Sequence, residues 1–84
     1  MLQSFVSYTG DMKVRVTVSL KRTVLDPQGQ AIGHALASLG HAGIRDVRQG
    51  KVFEMEVEPE SDLETIAREV LTNPVIEEYR IEYL

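Results

Sequence analysis

Between Lys13 and Leu20 the chain alternates without a fault. Val14, Val16, Val18 and Leu20 fall on one side, and Lys13, Arg15, Thr17 and Ser19 on the other. A period of two built from β-branched residues marks a strand with one buried face. A helix start follows. Asp26 can accept from the free amides of a first turn, and Pro27 stands where a missing N–H costs nothing. Strand, short loop, capped helix: the rest of the chain has to cover or extend this unit.

Residues 27 to 42 carry Ile32, Ala35, Leu36 and Leu39 at helical spacing, with Gly40 or Gly43 as the terminator. Gly29 and Gly33 each lower its helix propensity by roughly 1 kcal/mol relative to alanine, so tertiary packing has to hold it. Ile44 to Gln49 is expected as a second, less regular strand, Gly50-Lys51 as a turn, and Val52 to Glu58 as a third strand ended by Pro59. Ser61 and Glu64 have the spacing of a capping box at the head of a second helix. Leu63, Ile66, Ala67, Val70 and Leu71 form its apolar stripe, and Asn73-Pro74 ends it. In the last segment, Val75 to Leu84, Tyr79, Ile81 and Tyr83 alternate against Arg80 and Glu82.

That order predicts an α+β fold of split βαββαβ type, ferredoxin-like, with a four-stranded antiparallel sheet and both helices on one face. Strand one is then expected between strands three and four. Its outer row of Lys13 and Arg15 falls beside Glu54, Glu56 and Glu58 on one flank and Glu82 on the other.

Eighty-four residues make one domain. We place it at 12–84, with residues 1–11 as a loosely held extension or, through Phe5, Val6 and Tyr8, a short edge strand. A chain this short buries only about 60–65% of the surface it exposes when unfolded. With no cysteine it has no disulfide to add, and self-association is the remaining common support. The absence of cysteine fits a reducing compartment such as the cytoplasm. A formal charge of −4, with nine Lys and Arg, argues against a nucleic-acid backbone binder, and no apolar run is long enough to span a membrane.

Little here resembles chemistry. Glu54, Glu56 and Glu58 alternate along a strand about 6.5–7 Å apart, too far for neighbours to share a metal ion. His34 and His41 lie roughly 10 Å apart along one helix, which excludes paired ligation. The glycines match no phosphate loop, and Ser19 and Ser38 have no nucleophile context. No catalytic set and no metal site emerge. Arg48, Lys51 and Arg80 remain as candidates for holding a partner's carboxylate or phosphate.

Three segments go further: Val18-Ser19-Leu20-Lys21, Val24-Leu25-Asp26-Pro27-Gln28-Gly29, and Asp46-Val47-Arg48-Gln49-Gly50-Lys51. With Val75-Ile76-Glu77-Glu78-Tyr79-Arg80 near the end, they resemble PurS, the small subunit of phosphoribosylformylglycinamidine synthase. The likeness covers Met12 to Leu84 in order and in spacing; Glu78 stands where the family has Asp. It implies a non-catalytic subunit of a glutamine-using, ATP-dependent ligase in the fourth step of purine synthesis. The implied partners are a second copy of the chain, or more, together with separate glutaminase and large synthase subunits. The resemblance also implies help in passing ammonia between them. ATP, magnesium and glutamine would belong to the complex, and no cofactor to this chain. On that footing Asp26 and Pro27 set the helix, and Arg48, Lys51 and Arg80 dock. The competing expectation is a small-molecule-sensing regulatory domain of the same topology.

Overall fold

The computed structural model describes residues 10–84. Three strands and two helices follow one another: β1 (Met12–Leu20), α1 (Pro27–Ser38), β2 (Gly50–Val57), α2 (Leu63–Ile66) and β3 (Glu77–Tyr83). The last turn of α2 widens into a π-helical turn, Ala67–Leu71. The extension expected before residue 12 lies, apart from Gly10 and Asp11, outside the described residues.

The sheet is antiparallel in the order β2-β1-β3, which puts the alternating strand in the middle as its pattern demands. Val14, Val16 and Val18 are fully buried. Opposite them on the same face stand Met55, Phe53 and Lys51 of β2, and Tyr83, Ile81 and Tyr79 of β3. Ala67, also fully buried, presses α2 and its π-helical turn onto Val16 and Val18, with Leu71 packed alongside. The outer face is charged. Arg15 lies 2.8 Å from Glu54 and 3.9 Å from Glu82, and Lys13 pairs in register with Glu56. Such exposed pairs are worth about 0.2–1 kcal/mol each, enough to favour one strand order over another.

Four expectations need correction. Among the described residues the sheet has three strands, because Ile44 to Gln49 forms none. That segment's polar groups are committed elsewhere: the Gln49 amide donates to the Asp26 carboxylate, and Arg48 donates to carbonyls of the β1–α1 loop. Gly50 and Lys51 are not a turn but the first residues of β2, paired with Ser19 and Val18. Glycine is needed there because a Cβ would meet the Val18 carbonyl oxygen at 2.5 Å. The cap of α2 is Asp62 rather than Ser61. Its carboxylate accepts from the Thr65 amide at 3.2 Å and the Thr65 hydroxyl at 2.7 Å, a second donor that a serine-led capping box lacks.

The fourth correction concerns α1, which does not lie on the sheet. It packs extensively against no other element among the described residues, and its one buried residue is Gly29. Ile32 and Leu39 stay 41% and 76% exposed. The helix itself is well made. Asp26 caps one end through the Gly29 amide, with Pro27 in the first position. At the other end Gly40 takes φ +94°, the Gly40 amide donates to the Ala37 carbonyl, and the His41 amide donates to the Leu36 carbonyl, a Schellman closure. Its apolar stripe is real, but among the described residues it does not cover the sheet.

Candidate functional site

Helix α1 and the return segment 39–47 form an arm, and the polar chemistry of the molecule concentrates at its root. Asp26 is the centre. It is only 4% exposed, and its two oxygens accept from backbone amides on both limbs of the arm: Gly29 at 2.9 Å and Gln49 at 2.8 Å. Those two N–H bonds, the Gln49 one first, hold the Asp26 carboxyl below its ordinary value of 3.8, with Arg48 adding a smaller attraction against the cost of burial. A lowered folded pKa means that the clasp stabilises the fold above pH 3.8. The contribution is lost as the pH falls through the folded value.

Arg48 spans the other side of the root. One guanidinium nitrogen (Nη2) donates to the carbonyls of Lys21, at 3.0 Å, and Val24, at 3.1 Å. The Gln49 and Gln28 side chains are also hydrogen-bonded to each other. Gly29 lets the limbs close. A Cβ there would overlap the Val47 carbonyl oxygen and sit 2.9 Å from Asp26 Oδ2.

The three cations singled out from the sequence are therefore not one patch. Arg48 is engaged inside the arm root. Lys51 lies on the core-side face of the sheet, its ammonium 4.0 Å from Glu77 Oε2 and 5.9 Å from the Phe53 ring centre. Arg80 is on the outer face, 70% exposed and 4.0 Å from Glu82. Sequence reasoning missed the grip of Asp26 on Gln49, which joins residues 23 apart and leaves no local pattern. It also missed why Gly29 has to be glycine.

Other groups are structural. The Tyr79 hydroxyl donates to Glu64 at 2.7 Å, and that bond, with burial, raises the phenol above its usual 10.0. The cleft between α1 and the return segment, lined by Gly33, His34, Ala37, Ile44 and Arg45, is open to solvent. Among the described residues no buried side-chain polar atom lacks a partner, and no three His, Asp or Glu converge as for a metal ion. No described helix is long and apolar enough to cross a membrane.

A protein-family model described as "PurS: Phosphoribosylformylglycinamidine (FGAM) synthase" matches residues 13–84. The chain belongs to the PurS family. It is thus a subunit of phosphoribosylformylglycinamidine synthase, a ligase. The PurS subunit of Mycobacterium leprae is 54% identical over 69 residues, covering 79% of this chain and 87% of that one. The solved structure of Bacillus subtilis PurS in a C2 crystal form superposes with a TM-score of 0.79 at 45% identity, over 86% of this chain and 96% of that one. A chain of the PurLQS structure from Thermotoga maritima does so with a TM-score of 0.75 at 31% identity, over 86% and 95%. These PurS folds agree with the α+β arrangement of two helices and an antiparallel sheet described above.

Proposed function

We propose that this PurS chain serves its synthase as a self-associating bridge between the glutaminase and the ATP-dependent synthase chains, and helps ammonia pass between them during purine synthesis. Use of ATP, magnesium and glutamine belongs to those chains, and the complex works in the cytoplasm. The observation that carries this reading is the bare apolar arm. Ile32 on α1 and Leu39 and Ile44 just beyond it are exposed, with Leu36 half-buried between them, and α1 packs extensively against no other element among the described residues. The sheet offers the matching surface, because Phe53, Met55, Tyr79 and Ile81 are only partly buried beneath the short α2. A second copy supplies both halves of the contact twice over, as two-fold symmetry requires. The PurLQS structure of a 31% identical relative supports the wider assembly.

A bridge needs two contacts, and the sheet has charged positions on both faces. Lys51 on the core-side face and Arg80 on the outer face are the proposed docking residues. Arg48 acts from within, through the arm. Replacing Ile32 and Leu39 together with glutamate is expected to turn the dimer into a monomer in sedimentation, with at least a tenfold loss of self-affinity. An unchanged sedimentation coefficient at micromolar concentration would overturn the self-association. Lys51→Ala with Arg80→Ala should leave the dimer intact and lower glutamine-dependent turnover of the reconstituted complex several-fold. Unchanged turnover and co-elution would remove both residues from the docking surface.

A further inference from the structure

The geometry points to Asp26 and Arg48 as a clasp that fixes the direction of the arm, making them positioning residues for the contact between copies. This rests on the self-association proposed above and adds the device that aims it. The clasp ties the incoming limb to the outgoing one at every level of the root. Asp26 joins Gly29 to Gln49, Arg48 reaches back to Lys21 and Val24, and the Gln28 and Gln49 side chains bond to each other. Below it, Gly50 lies against the Val18 carbonyl and locks the outgoing limb into β2. Above it no residue from 30 to 46 is fully buried, and no other element among the described residues packs extensively on the helix.

An arm held only at its root magnifies any error made there. Helix α1 has 12 residues and so is about 18 Å long, and a tilt of ~10° moves its tip by ~3 Å. That is enough to take Leu39 off a knob-sized site on another copy. Pre-setting the angle also removes an ordering cost from association, because the arm has already lost its freedom in the separate chain. Both clasp residues suit the task. A carboxylate has two acceptor oxygens for two amides, and a guanidinium nitrogen carries two hydrogens for two carbonyls.

The chain has no cysteine, so paired spin labels can be placed cleanly at Ser38→Cys on the arm and Glu56→Cys on the sheet. Labelled chain is diluted into excess unlabelled chain so that only distances within one copy are read. A single narrow distance distribution is expected. Arg48→Met should broaden it and weaken self-association at least tenfold, and Arg48→Lys, which keeps hydrogen-bond donors, should recover part of both. Asp26→Asn, which loses one of two acceptors, should broaden it less than Asp26→Ala. Far-UV circular dichroism shows whether each variant keeps its sheet. A narrow, unshifted distribution in folded Arg48→Met and Asp26→Ala overturns the clasp, whatever the self-affinity. Broadening with unchanged self-affinity upholds the clasp and overturns the role of α1 in joining copies.

Discussion

Gly29→Ala is expected to destabilise the domain by about 1–3 kcal/mol, whereas Gly33→Ala, one helical turn further on, should stabilise it by about 0.5–1 kcal/mol. Both glycines lie in α1, where alanine is the better helix former, so propensity alone predicts a gain at each. The surroundings decide otherwise. At Gly33 a Cβ would meet only Val47 Cγ2, at 3.8 Å, an ordinary contact. At Gly29 it would overlap the Val47 carbonyl oxygen and press on the Asp26 carboxylate. Backbone does not move aside as a flexible side chain does, so the arm root has to open and its hydrogen bonds lengthen. Urea denaturation of the two variants beside the parent chain gives the comparison. A gain in both would mean that the limbs of the arm are not in contact.

Ala67→Asp is expected to abolish cooperative unfolding at neutral pH. Ala67 is fully buried against Val16 and Val18. An unpaired carboxylate there costs several kcal/mol, by ionising in an apolar site or by binding a proton to avoid it. A chain of this length has only about 4–13 kcal/mol in all. The same change at Val70, three residues on but 74% exposed, should cost within about 0.5 kcal/mol. Two-dimensional amide spectra would show dispersed signals for Val70→Asp and collapsed ones for Ala67→Asp. Equal behaviour of the pair would contradict the placement of α2 on the sheet.

What could be read from the residues follows from how far each signal reaches along the chain. The central strand was legible because alternation is local and unbroken from Lys13 to Leu20. Its neighbours were legible because charges at 15, 54 and 82 complement one another across the sheet. Asp26-Pro27 marked the start of α1, since a cap acts within three residues. Ile44 to Gln49 misled: its apolar residues at 44 and 47 are three apart, not two, and Asp26 claims the amide of Gln49. The α2 cap was off by one residue because Ser61 and Asp62 both suit the role, and only the Thr65 hydroxyl separates them. The stripe of α1 announced a packing face, but its spacing does not say what packs on it. Of the three candidate docking cations, alternation put Arg80 on the outer face, but nothing local showed that Lys51 falls on the opposite face or that Arg48 turns inward.

The chain is proposed to work by joining and aligning catalytic subunits. Withholding it from a mixture of glutaminase and synthase tests that most directly, with amidine formation followed from glutamine and, separately, from added ammonium. Without the chain, turnover from glutamine should fall at least tenfold while turnover from ammonium persists, and adding the chain back should restore the first. Full glutamine-dependent turnover in its absence would contradict the account.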